Sequence, residues 1–330
     1  MAKPHIAVVD WKSHPRGFED CDIEKEIISN SASVSYHLIN NDEDWILAPH
    51  SLLSADVIVL WHNTPCSAVA ISALTKCKAI IRNGVGYDTV DLTAASNAGI
   101  TVCNIPDYGT EEVANHTIAL ALSLTRQLFV LDKHAKKLYW ELPEQVIENV
   151  RRFSEMFFCI VGLGRIGSAV ARKADALGFN VMYYDPFVST KDYIKIDSLN
   201  ELLTLADVLS IHCPSNINTK LMISNNEIDL LKNSAFLVNT ARGDIVSKRS
   251  VINALNAGRL AGAGLDVVED EPLKSFDEAA TPNLICTCHS AFYSQEAIID
   301  MRQKSATLAK AAVEGQPLYN IVNDEKANDN

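Results

Sequence analysis

The chain has 330 residues, a length that suggests about two domains. Apolar types make up 48% and charged types 21%, so a sizeable folded core is expected and a disordered chain is excluded. A net charge of −12 argues against nucleic acid or an anionic membrane as main partner, while leaving room for a small anion in a local cationic pocket. No apolar run of about 18 residues could span a bilayer, and the N-terminus lacks a signal-peptide core. The eight cysteines are scattered without a C-x-x-C pair. A reduced, cytoplasmic compartment is therefore expected, with no metal site.

Short β-branched runs alternate with helical patterns along the chain. Candidate strands fall at residues 5–10, 56–61, 79–82 and 100–104, then at 157–161, 181–184, 208–212, 236–239, 264–267 and 284–287. Several are apolar at consecutive positions, as in parallel strands covered on both faces. Such alternation predicts an open α/β architecture. Residues 110–137 read as one long helix, with Thr110 as N-cap and Glu111 and Glu112 in its first turn. It is apolar over most of its circumference between Ile118 and Leu131, which predicts burial between domains or subunits. One domain crossing is placed near Pro106 and a second near Ser290, before a last helix over 295–314. The first domain is then discontinuous, 1–105 plus 291–330, around a second of 106–290.

Residues 157–167, FFCIVGLGRIG, are a strand running into G-x-G-x-x-G, followed by a helical pattern over 168–177 and Gly178 as a stop. The next strand ends at Asp185, about 20 residues on, and this context makes the motif a dinucleotide fingerprint. Gly162 permits the tight turn, Gly164 lets the backbone approach a pyrophosphate, and Gly167 lets helix and strand pack closely. The first helical residues, Arg165 and Ile166, present unpaired N–H donors. Asp185 is expected to accept hydrogen bonds from the adenosine ribose and to repel a 2′-phosphate, which favours NAD over NADP.

Three downstream segments join this loop: Val238-Asn239-Thr240-Ala241-Arg242-Gly243, Gly264-Leu265-Asp266-Val267 with Asp270-Glu271-Pro272, and Cys288-His289-Ser290-Ala291. Together they resemble the D-isomer-specific 2-hydroxyacid dehydrogenases, over about residues 56–323. The segments Arg82-Asn83-Gly84-Val85-Gly86-Tyr87-Asp88 and His289-Ser290-Ala291-Phe292-Tyr293-Ser294 resemble the C-terminal-binding-protein-like branch. The resemblance implies two Rossmann-like domains with parallel sheets, the active site in the cleft between them, and a homodimer joined through the long helix. It implies NAD(H) as cofactor and interconversion of a 2-keto acid and a D-2-hydroxy acid.

By the same resemblance, Arg242 orients the substrate, since a guanidinium can bind carboxylate and carbonyl oxygens together. His289 is the acid/base and is also implied among the cofactor-binding residues, with Glu271 as its partner. Histidine titrates near working pH, and a carboxylate beside it favours the proton-donating imidazolium. Asn83, Gly84 and Val85 offer backbone N–H groups to the substrate carboxylate, and Arg82 adds a second cation. Trp61 and His62 are candidate pocket residues, although Trp61 fits core packing equally well. Phe292 stands where the animal co-repressors carry Trp. Asp266 is implied to bind the nicotinamide carboxamide, with Thr240, Ala241 and Arg242 on the nicotinamide side. Cys213, Pro214 and Thr219 are placed on the adenine side. The sequence departs from the family at 151–156, where a glycine-lysine turn is usual.

A second reading of another class is an NAD(H)-sensing dimeric binding protein, similar to the transcriptional co-repressors of that branch. The retained Arg242, Glu271 and His289 favour an enzyme. Within the family, the long form of phosphoglycerate dehydrogenase and formate dehydrogenase are not expected. Which 2-hydroxy acid is used is not legible.

Overall fold

A computed structural model describes residues 3–13, 17–61 and 63–324, apart from the side chains of residues 145, 147 and 148. His62 lies outside the described residues. The chain divides into two compact units, Met1–Tyr108 with Ser294–Asn330, and Gly109–Tyr293. Five helices matter below: α1 (Asp22–Ile28), α2 (Thr110–Thr125), α3 (Leu128–Ala135), α4 (Arg165–Ala176) and α5 (Gln295–Val313). No helix among the described residues is long and apolar enough to cross a membrane.

The first unit holds a five-stranded sheet of β1 (His5–Trp11), β2 (Ser33–Ile39), β3 (Val57–Trp61), β4 (Ala79–Asn83) and β5 (Thr101–Cys103). The order is β2-β1-β3-β4-β5 and every pairing is parallel. Residues of β3 and β4 are buried without exception, because helices cover both faces. β2 was not among the expected strands. Its sequence SVSYHLI mixes polar and apolar side chains because it lies at the sheet edge, where one side has no neighbouring strand.

Arg302 of α5 locks this unit. Its Nε donates to Glu24 Oε1 at 2.9 Å, and its Nη2 to Glu24 Oε2 and Asp22 Oδ1, both at 2.6 Å. The Arg302 and Glu24 side chains are only 5% and 1% exposed. Removing one member of such a pair strands the other charge in the interior. Arg302→Ala is therefore expected to destabilise the first unit by about 3–5 kcal/mol. Denaturant unfolding followed by tryptophan fluorescence checks this, since Trp11, Trp45 and Trp61 all lie in that unit.

The second unit holds a seven-stranded sheet: β6 (Phe157–Val161), β7 (Asn180–Tyr184), β8 (Ile194–Lys195), β9 (Val208–Ile211), β10 (Phe236–Asn239), β11 (Gly262–Leu265) and β12 (Leu284–Cys286). Its order is β12-β11-β10-β9-β6-β7-β8, again parallel throughout. Alternate residues feed two cores. Phe158, Ile160, Phe236 and Val238 pack with α2 and α4 on one face, and Cys159, Val161, Leu209 and Leu237 fill the other. This two-sided burial is why those strands read as continuous apolar runs.

The expected single helix over 110–137 is instead two helices, α2 and α3. Arg126 closes α2, and Gln127 takes a left-handed backbone with φ 53°. The Leu124 carbonyl accepts from both the Gln127 backbone N–H at 3.0 Å and its side-chain Nε2 at 3.2 Å. Thr110 is not the N-cap: that position is Gly109, and no side chain caps the helix.

Candidate active site

The dinucleotide loop joins β6 to α4. Gly162 has φ +90°, a conformation L side chains rarely adopt, and an added Cβ would stand 2.7 Å from the backbone nitrogen of Cys213. At Gly167 a Cβ would stand 2.1 Å from the carbonyl oxygen of Gly162, so α4 can approach the loop only with glycine there. Gly164 is the N-cap residue of α4, makes no side-chain cap, and has open space where its Cβ would be. The Arg165 and Ile166 N–H groups therefore open α4 with no side chain capping them. Asp185 is only 7% exposed. Its Oδ2 accepts from the Leu163 N–H at 2.8 Å and its Oδ1 from the N–H groups of Phe187 and Val188. The loop and the acid that follows it are thus one hydrogen-bonded unit. The expected adenine-side residues lie on the turn after β9. There the Thr219 hydroxyl donates to the Pro214 carbonyl and accepts from Asn216, closing the turn.

Past β10, Asn239 shapes the next turn. Its Nδ2 donates to the Arg242 carbonyl at 2.8 Å, and its Oδ1 accepts from the Ala241 N–H at 3.0 Å. Nη1 of Arg242 donates to the Ala241 carbonyl at 2.7 Å. Thr240 is buried, with its hydroxyl 2.8 Å from that of Thr117 on α2.

Glu271 and His289, 18 residues apart, meet: Nδ1 of His289 lies 3.0 Å from Glu271 Oε2. The His289 ring packs edge-on against Phe292, with centroids 6.4 Å apart. His289 has φ 51°, an uncommon left-handed conformation for a residue with a side chain. Asp266, 3% exposed, holds that segment in place. Its carbonyl accepts from the His289 N–H at 2.9 Å. Its carboxylate accepts from the N–H of Ser290 at 2.9 Å, the N–H of Ala291 at 3.0 Å and the Thr287 hydroxyl at 2.5 Å. Asp266 was expected only as a cofactor ligand; the role the fold gives its carboxylate is to organise the histidine turn. His116 and Thr117 were missed. His116 sits 171 residues from its partner Thr287, so no local spacing could mark it.

In the first unit, Arg82 lies at the end of β4, with its Nη1 donating to the Asn83 carbonyl at 2.6 Å. Gly84 follows with φ +140°, and the Arg82 guanidinium fills the space a Cβ would take. The loop is fixed by the Asn104 amide on the Val85 carbonyl, 2.7 Å, and the Ile105 N–H on the Gly84 carbonyl, 3.0 Å. Trp61 and Asn83 are register partners at the ends of β3 and β4. Trp61 is fully buried and stacks on Phe18 with centroids 5.3 Å apart, so it is a core residue as well as a pocket candidate. The Trp61 indole nitrogen, the Thr64 and Thr89 hydroxyls and the Asn83 carboxamide are buried with no hydrogen-bond partner. Such groups cost about 1–3 kcal/mol each while unpaired. Asn83, next to Gly84, and its register partner Trp61 leave unpaired groups that suit a polar ligand.

Residues 118–291 match the model of the D-isomer specific 2-hydroxyacid dehydrogenase NAD binding domain, over more than half of the chain. The chain belongs to the D-isomer specific 2-hydroxyacid dehydrogenase family. It is 32% identical over 274 residues to the D-3-phosphoglycerate dehydrogenase of Methanocaldococcus jannaschii, covering 82% of this chain and 52% of that one. It is 34% identical over 278 residues to the enzyme of the same name from Archaeoglobus fulgidus, covering 81% and 51%. The chain thus spans about half the length of these curated relatives. Among solved structures it is similar to the D-lactate dehydrogenase of Aquifex aeolicus complexed with NAD and lactic acid. That match has 28% identity and a TM-score of 0.83 over 94% of this chain and 96% of that one. The TT0316 protein of Thermus thermophilus matches at 28% identity and TM-score 0.84, over 96% and 99%.

Proposed function

We propose that the protein is an NAD(H)-dependent oxidoreductase that interconverts a 2-keto acid and a D-2-hydroxy acid. The contact between Glu271 and His289 carries this reading, because a carboxylate-paired imidazole suits proton exchange and is not required merely to bind a nucleotide. NADH, when bound, supplies a hydride. Gly164 and the opening N–H groups of α4 hold its pyrophosphate, and Asp185 receives the ribose hydroxyls, which favours NAD over NADP. Arg242 clamps the substrate's carboxylate and polarises its carbonyl. The N–H groups of the Asn83-Gly84-Val85 loop suit a carboxylate, and the unpaired groups of Asn83 and Trp61 suit polar atoms of a ligand. His289, as imidazolium, gives its proton to the carbonyl oxygen, and Glu271 compensates the charge. The Arg82 and His289–Ser294 features place the chain, in this reading, near the C-terminal-binding-protein-like branch. A cytoplasmic location is part of the same proposal, in keeping with eight free thiols.

The test is the absorbance of NADH in the presence of a panel of short 2-keto acids. Oxidation of NADH with at least one of them is expected. NADH binding without turnover on any member contradicts the proposal.

A homodimer belongs to the same proposal. Leu138 and Trp140 are 92% and 91% exposed, and Tyr139 and Leu142 flank them, also exposed. So large an apolar patch is costly to leave in water. Beside it, α2 and α3 line a cavity of about 520 Å³ with Ser123, Gln127, Phe129 and Lys133, closed by Pro143 and Leu284. A second copy of the chain is the partner that would cover both. Sedimentation is expected to show a dimer that Trp140→Asp shifts toward monomer; a wild-type monomer at micromolar concentration contradicts it.

A further inference from the structure

We infer that His116 is a positioning residue for the acid/base His289, acting through Thr287 and Asp266; the inference rests on the function proposed above. Nε2 of His116 lies 2.9 Å from the Thr287 hydroxyl, which lies 2.5 Å from Asp266 Oδ1. An ionised carboxylate only accepts, so the single Thr287 proton goes to Asp266. The Thr287 oxygen then accepts from His116, which fixes the His116 proton on Nε2. That same nitrogen is 3.7 Å from Asp266 Oδ1.

The end of this chain is the strained turn. Asp266 holds the N–H groups of His289, Ser290 and Ala291 at 2.9–3.0 Å, and His289 keeps φ 51° between them. A left-handed backbone at a residue with a side chain persists only where its surroundings over-determine it. Asp266 supplies the determination, and His116 with Thr287 orients Asp266.

The neighbouring residue on α2 serves the other arm of the site. The Thr117 hydroxyl donates to the Val113 carbonyl at 2.8 Å, so at its 2.8 Å contact with Thr240 it accepts. Thr240 lies two residues before Arg242 in the turn that Asn239 closes. One turn of α2 therefore braces both the proposed proton donor and the proposed substrate clamp.

Single-turnover and steady-state kinetics on the full chain test this, with NADH and the best 2-keto acid of the panel. His116→Ala is expected to lower kcat about ten- to thirtyfold, as small misplacements of a reacting group do. KM for the acid and the NADH affinity should change less than about threefold, since the role assigned to His116 is exercised through Thr287 and Asp266 on the placement of His289 and not by binding a ligand. His116→Gln, whose Nε2–H can reach Thr287, should restore most of the rate. Thr287→Val should match His116→Ala, and the double variant should be no slower than either alone. Unchanged kcat in both single variants overturns the inference. So does a parallel loss of kcat, NADH affinity and melting temperature that glutamine does not rescue, because that is a merely structural role. His289→Gln run alongside separates the two failures. If it is inactive while His116→Ala is normal, only the positioning role falls; if it is fully active, or if the wild type turns over no acid, the proposed function falls and this inference with it.

Discussion

Replacing His289 by glutamine is expected to slow keto-acid reduction by about 10²–10⁴-fold while leaving NADH affinity within about twofold. Glutamine keeps the size and a hydrogen-bonding group toward Glu271, 3.0 Å away, so the turn held by Asp266 should survive. It cannot give up a proton as hydride arrives at the carbonyl carbon. The uncompensated alkoxide would have to be protonated by solvent, which is the source of the loss. Stopped-flow NADH absorbance gives the rate and a fluorescence titration gives the affinity. Wild-type turnover by this variant would remove His289 from the chemistry.

The second large effect is expected at Gly167. A methyl group there would overlap the Gly162 carbonyl oxygen, at 2.1 Å, and neither can rotate away, because the Cβ is fixed directly to Cα and the oxygen belongs to the backbone. Helix α4 must then lift from the loop, carrying the Arg165 and Ile166 N–H groups with it. Overpacking of this kind typically costs about 1–3 kcal/mol, and each 1.4 kcal/mol is about tenfold in affinity. Gly167→Ala is therefore expected to weaken NADH binding by about fivefold to about a hundredfold. The loss in melting temperature should be confined to the second unit. Isothermal titration of NADH checks the first part. The contrast with Gly164→Ala sharpens it, since open space surrounds Gly164 and the folded unit should tolerate that change.

The two parallel sheets were legible because β3, β4, β6, β9 and β10 are buried on both faces and so carry unbroken apolar runs. Strands β2 and β8 were not, since β2 mixes polar and apolar side chains and β8 has only two residues. The break between α2 and α3 left no signal in an apolar helical pattern, because it lies in the left-handed backbone of Gln127 and in hydrogen bonds from its backbone and side chain to Leu124, which periodicity does not encode.

The site divides the same way. The glycine loop is a local pattern with its own steric logic, and it could be read directly. The pairing of Glu271 with His289 depends on how β11 and β12 place two distant loops, so only family order suggested it. The supporting layer was invisible: His116 meets Thr287, and Thr117 meets Thr240 across 123 residues. Nothing in an alternation of small and apolar residues along α2 announces that one of its turns faces polar groups.

Transfer of deuterium from NADH labelled at C4 of the nicotinamide, one prochiral position at a time, tests the central claim most directly. The 2-hydroxy acid formed is read by mass spectrometry and chiral chromatography. Label from one position alone is expected at C2 of the D product. Product without deuterium from either position, or label retained wholly on the nucleotide while acid is consumed, would contradict it.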